Sequence, residues 1–197
     1  MITRYTQSDV QRIAAAASAR KNDPTRHKVF VSYHVADIDE VAVFLETFGE
    51  EMIPRSVGVA ESDEPIDSTN EKYIKDKIRD DYLRDSTVTV VLLGSCTWAR
   101  KFVDWEISST LRDDEKNKRS GLLAYPLPSR NNTAHLPQRL KDNWVDGSPQ
   151  LSYAAYMSYP ALRSTFRSQV DAAFDARSSK GHLINNASPL MQRNRSC

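Results

Sequence analysis

Thr87-Val88-Thr89-Val90-Val91-Leu92-Leu93-Gly94 is a continuous apolar, β-branched run closed by glycine. A run of this kind reads as a strand buried on both faces, which requires helices on either side of a parallel sheet. Shortly after it comes Phe102-Val103-Asp104-Trp105-Glu106-Ile107, a helical stretch that sets Glu106 among aromatic residues. An acidic side chain just past the carboxyl end of a central strand is a common way for an α/β fold to build a small-molecule site.

The rest of the chain alternates in the same manner. Lys28 to Tyr33 reads as a first strand. Asp37 caps a following helix, with Glu40 at its third position and Ile38, Val41, Ala42, Leu45 and Phe48 on the buried face. Ser56 to Ala60 reads as a second strand, followed by an acidic loop from Glu61 to Asp67. Ser68 and Glu71 form a capping box for a helix with Ile74, Ile78 and Tyr82 on one side. The helix bearing Glu106 runs to about Arg112, and after a charged turn at Lys116 to Arg119 comes a fourth strand, Gly121 to Tyr125. Ser129 to Gln150 is a long irregular loop, of the kind that serves as a lid or binding segment. Leu151 to Met157 reads as a last strand. Pro160 opens a final helix with Leu162, Phe166, Val170 and Phe174 inward.

Strands alternating with helices specify an α/β fold with a parallel sheet covered on both faces. About five strands in a chain of this length point to a flavodoxin-like order, 2-1-3-4-5. In such a sheet ligands bind where the strand order reverses, outside the carboxyl ends of strands one and three. That crevice is walled by Ser32, Tyr33 and His34 on one side and by Gly94 to Thr97 on the other, with Glu106 on the helix that follows.

A length of 197 residues suits one domain with extensions. Residues 1–26 read as an N-terminal helix (Ser8 to Arg20, with Val10, Ile13, Ala14 and Ala17 as its apolar stripe and a Ser8–Gln11 capping box) and a linker. The main domain covers 27–177, and the Ser-, Asn- and Arg-rich remainder, 178–197, reads as a disordered tail. A net charge of +1 gives no footprint for nucleic acid or for a membrane surface. Two cysteines, Cys96 and Cys197, argue against a disulfide scaffold and for a reducing, cytoplasmic setting.

Glu106 lies on the margin of the stripe formed by Val103, Ile107, Thr110 and Leu111, roughly 80° from its centre at about 100° per residue. Position alone favours a surface Glu paired with a nearby Lys or Arg, and the neighbouring motif shifts the reading toward a site. Trp98, Phe102 and Trp105 lie away from that stripe and need a cover. The N-terminal helix, the 129–150 loop, a second protein or, for Phe102, a stacked planar base would each supply one. His34 is a candidate substrate contact, and Cys96 is read as incidental. His27, His135 and His182 lack zinc-ligand spacing, and no metal site is expected. The loop after strand one has no glycine, which sets aside both the P-loop and the dinucleotide Gly-rich turn.

Lys28-Val29-Phe30-Val31-Ser32-Tyr33-His34 resembles the opening strand of TIR and TIR-like domains. Val90-Val91-Leu92-Leu93-Gly94-Ser95, then Thr97, then Arg100 to Ile107, is similar to the third strand and following helix of that family. Ser-Tyr-His after strand one and Val-Leu-Leu-Gly-Ser-x-Thr before the helix look like the TIR-like subunit of the Thoeris anti-phage system. The match covers about Lys28 to Tyr125. The resemblance implies a flavodoxin-like fold and cleavage of NAD+ as substrate, with no separate cofactor and with Glu106 as the essential residue. Phe102 stands where many TIR domains carry Trp. Ser32, Tyr33, His34 and Phe102 are then the expected substrate contacts. A cyclic or linear ADP-ribose product would act as the signal to an effector protein, and the helix with Trp98, Phe102 and Trp105 is a candidate homo-oligomer contact. A non-catalytic TIR-like adaptor and a nucleoside deoxyribosyltransferase-like enzyme stand as alternatives.

Overall fold

Five strands pair in a single all-parallel sheet in the order β2-β1-β3-β4-β5, the expected 2-1-3-4-5. They are β1 (Lys28–Ser32), β2 (Ile53–Val57), β3 (Val88–Leu93), β4 (Gly121–Pro126) and β5 (Ala155–Tyr156). The helices are α1 (Gln7–Ala19), α2 (Ile38–Phe48), α3 (Glu71–Ile78), α4 (Lys101–Thr110), α5 (Gln138–Lys141) and α6 (Arg163–Ser179). The computed structural model describes residues 4–19, 25–57, 70–78, 80, 83, 85–113, 118–130 and 135–197. The acidic loop at 61–67, Ser68, Tyr82, Arg20, most of the 21–26 linker and Lys116 of the charged turn therefore lie outside the described residues.

All six residues of β3 are buried, because alternate side chains enter two different cores. Val88, Val90 and Leu92 pack with Val29 and Val31 of β1 against α1, α2 and α6, through Val10, Phe44, Phe48, Phe166 and Val170. Val91 and Leu93 pack on the opposite face against Val103, Ile107 and Leu111 of the α4 region and Leu140 of α5. A third cluster gathers Phe30, Ile78, Leu83, Trp105 and Leu190.

Several local expectations shift. The second strand, expected at Ser56 to Ala60, already begins at Ile53 and is described to Val57, because Ile53 and Pro54 pair with Lys28 and Val29; residues 58–60 lie outside the described residues. The N-terminal helix is opened by Thr6 and Asp9, each accepting a backbone N–H of the other, and not by Ser8 and Gln11. Its Val10 and Ala14 enter the main core. The last strand is only Ala155–Tyr156. Leu162 stays exposed while Phe166 and Val170 carry the inner face of α6.

The larger differences concern two segments read as loose. Within Ser129 to Gln150 the described residues include α5, whose Arg139 is fully buried. The segment after Ser178, expected to be disordered, runs antiparallel along the outer face of α4. Asn186 exchanges hydrogen bonds with Ser108. The N–H of Met191 donates to Asp104 and its carbonyl accepts from Trp105 Nε1. Asn194 Oδ1 accepts the N–H of Lys101, the first residue of α4, and the N–H of Arg195 donates to Ala99. Cys197 closes a disulfide with Cys96. A polar composition failed to indicate this order because the backbone groups and Leu190, not a run of apolar side chains, make the contacts. Among the described residues no helix is long and apolar enough to cross a membrane.

Candidate functional site around Glu106

Glu106 is 1% exposed, deeper than its place on the stripe margin implied. The reason lies in the layers around it: α4 packs against β3, β4 and α3, and the Glu106 side chain turns in toward β1. Burial extends from Val103 to Thr110 without a break. A carboxylate taken out of water needs hydrogen-bond donors. Ser32, the last residue of β1, supplies one, its Oγ donating to Glu106 Oε2 at 2.5 Å across 74 residues of sequence. Ser32 is itself fully buried, and its backbone pairs with Val91 of β3. The two elements that flank the strand-order reversal are thus joined at the carboxylate.

The other expected contacts are distributed differently. Tyr33 turns to the opposite face, where its hydroxyl donates to Gln7 of α1. His34 is half-buried at the end of β1, and its carbonyl accepts the N–H of Asp37. Phe102, one helical turn before Glu106, is half-buried edge-on to Trp105, with centroids 5.2 Å apart. Lys101 Nζ lies 5.2 Å from the Phe102 ring and 5.1 Å from that of Trp105. Trp105 is buried, covered by Leu190 and Met191, and Trp98 lies against His135 at 4.6 Å. The chain's own segment supplies most of the cover that the aromatic residues required.

Asp37 is the residue whose role changes most. It stands at the start of α2, yet its side chain makes no capping hydrogen bond. The carboxylate instead crosses to the β3–α4 loop and occupies the space a Cβ on Gly94 would need, 2.0 Å from that position. It accepts a hydrogen bond from Thr97, whose Oγ1 in turn accepts the N–H of Gly94 at 2.9 Å. Burial first, then the nearby Glu40, raises its pKa to about 6, against the opposing effects of Thr97 and Arg100. The sequence signal for this was the glycine after Leu93, since a glycine at a strand end often marks a close approach.

Asp104, two residues from Glu106, is engaged elsewhere. Arg139 Nε donates to its Oδ1 at 3.0 Å in a buried pair, and Arg139 also donates to Asn186 and to Pro189. This guanidinium ties α4, α5 and the 186–191 segment together. A separate groove of about 300 Å³ between β5 and α6, lined by Trp144, Tyr153, Tyr156 and Met157, holds none of these carboxylates.

Residues 30–132, more than half of the chain, match the family described as Thoeris protein ThsB, TIR-like domain. No curated protein matches the chain.

Proposed function

The chain belongs to the family of the Thoeris ThsB TIR-like domain, and from that premise we propose that it cleaves NAD+ at the bond between nicotinamide and ribose. The observation that carries this reading is the buried Glu106–Ser32 pair at the reversal of strand order. When the C1′–N1 bond breaks, its electron pair moves to the ring nitrogen and nicotinamide leaves neutral. Positive charge develops on the ribose. A carboxylate in a dry site stabilises such a cation far more than one in water, and it can accept hydrogen bonds from the ribose hydroxyls. Ser32 holds the carboxylate in one orientation and keeps it satisfied while the site is empty.

Water captures the cation to give ADP-ribose. If water is excluded, an adenine nitrogen or a ribose hydroxyl of the same molecule attacks instead and gives a cyclic isomer. Such a product suits a diffusible signal to an effector protein, in keeping with an anti-phage role. Glu106 is sealed in this conformation, so substrate reaches it only after the covering elements separate. That behaviour fits an enzyme that waits for infection. An NAD+ substrate fits a cytoplasmic setting, where the Cys96–Cys197 bond would face thiol reductants.

The test is mass spectrometry of nucleotides from phage-challenged cells expressing wild type or Glu106→Gln. Loss of NAD+ and a new ADP-ribose species in wild type alone supports the proposal. Protection with identical nucleotide profiles in both would point to an adaptor and end the enzymatic reading. Exchange of bases between added deoxynucleosides would point to a deoxyribosyltransferase-like enzyme.

A further inference from the structure

The mechanism above uses one carboxylate, but the strand-order reversal carries a second. Asp37 Oδ2 is shielded from solvent and meets no hydrogen-bond donor among the described residues. A buried acceptor left unmet is destabilising, and groups left in that state often mark a ligand contact. Nothing in the helix requires it: Asp37 does not cap α2, and Asn or Ser there would cap as well. Gly94 leaves room for the carboxylate, with no side chain of its own in the way.

Its position relative to Glu106 follows from the sheet register. Ser32, the partner of Glu106, pairs with Val91. Gly94, against which Asp37 lies, is three residues further along the same strand direction, on the order of 10 Å. That is a separation which a base and its ribose can span. Glu106 approaches from the α4 side of the sheet, whereas Asp37 comes from the start of α2, whose buried face packs on the other side. With the ribose at Glu106, the base extends toward Asp37. The nicotinamide base has one donor group, its carboxamide NH2, with two N–H bonds to give.

We propose that Asp37 is a specificity-determining residue, its unpartnered carboxylate oxygen accepting a hydrogen bond from the nicotinamide carboxamide and so selecting NAD+ over the nicotinic acid analogue. The assignment rests on the NAD+-cleaving reading above. The analogue carries a carboxylate where NAD+ carries the amide, so it brings a negative charge and no donor to Asp37. Because the contact exists in the bound substrate as well as in the transition state, it acts on KM more than on kcat.

The experiment supplies NAD+ or nicotinic acid adenine dinucleotide to lysates of phage-challenged cells expressing wild type, Asp37→Asn or, as the blank, Glu106→Gln. The released base is measured by mass spectrometry. Wild type should favour NAD+ by at least about tenfold in kcat/KM, chiefly through KM. Asp37→Asn should shrink that preference about tenfold, because its amide can donate to the acid as well as accept from the amide. Equal use of both dinucleotides by wild type, or an unchanged ratio in Asp37→Asn, overturns the role of Asp37 and leaves NAD+ cleavage standing. Release of neither base by wild type overturns both. The wild-type comparison decides the matter even if the variant does not fold.

Discussion

Cys197 is bonded to Cys96, the residue 101 positions earlier in the loop between β3 and α4, with their Cα atoms 5.5 Å apart. The bond fastens the end of the 186–197 segment beside the strand-order reversal, after that segment has run the length of α4.

Opening this bond should loosen the segment. Chain-entropy reasoning puts an upper value near 4–5 kcal/mol on a crosslink closing a loop of about 100 residues. Wild type should therefore lose on the order of 5–15 °C in Tm when a thiol reductant is added. Cys197→Ser should start at the lower value and show no further fall with reductant. Equal melting of all samples would mean that the crosslink contributes nothing.

Arg139 and Asp104 form a buried ion pair. Arg139→Met strands the Asp104 carboxylate away from water, at a cost of about 3–5 kcal/mol. Adding Asp104→Leu should recover much of that loss, because the stranded charge is then gone. Urea unfolding of the single and double variants measures both steps. A double variant as unstable as the single would show that packing, and not charge, sets the cost.

Asp37 should make stability fall as pH rises. Its folded pKa is raised from 3.8 to about 6, chiefly by burial. The folded state therefore holds this proton more tightly than the unfolded chain does. The resulting stabilisation is complete below about pH 3.8 and is lost as pH rises through about 6. Asp37→Asn cannot ionise, so its Tm should exceed that of wild type above pH 6, and the gap should close toward pH 4. A gap independent of pH would rule out ionisation of Asp37 as the cause.

Ser32→Ala removes a donor from the buried Glu106 carboxylate, which should lower stability by about 1–3 kcal/mol. It should also reduce the proposed NAD+ cleavage through kcat, since the carboxylate loses its fixed orientation, and leave KM nearly unchanged. Combining it with Glu106→Gln should restore stability without restoring turnover, because the amide is cheaper to bury than the charge. Recovered activity in the double variant would remove Glu106 from the chemistry.

Much of the sheet was legible because its signals are local. The apolar run Val88 to Leu93 and the helical periodicity at Val103, Ile107 and Leu111 each depend on neighbours a few residues away. Their alternation then constrained the strand order, since parallel pairing with right-handed crossovers admits few topologies. Glu106 could be singled out for the same reason, as an acidic residue on the helix after the central strand.

Its environment could not be read that way. Whether Glu106 is half-shielded or sealed depends on the elements packed beside α4 and on its meeting Ser32, 74 residues away in the chain. The outer face of α4, at Asp104, Trp105 and Ser108, is likewise covered by a polar segment about 80 residues further on. Such a segment carries no periodic apolar pattern, because it is held through backbone groups, one leucine and a disulfide. The same holds for Asp37, whose place in the sequence marks a helix cap while the tertiary structure carries its carboxylate across to Gly94. Sequence by itself determined which strands and helices form and in what order the sheet assembles, for those follow from patterns repeated every two to four residues. Only the folded chain decided which polar groups lose water and which partners meet them, because that depends on contacts between residues far apart in the sequence.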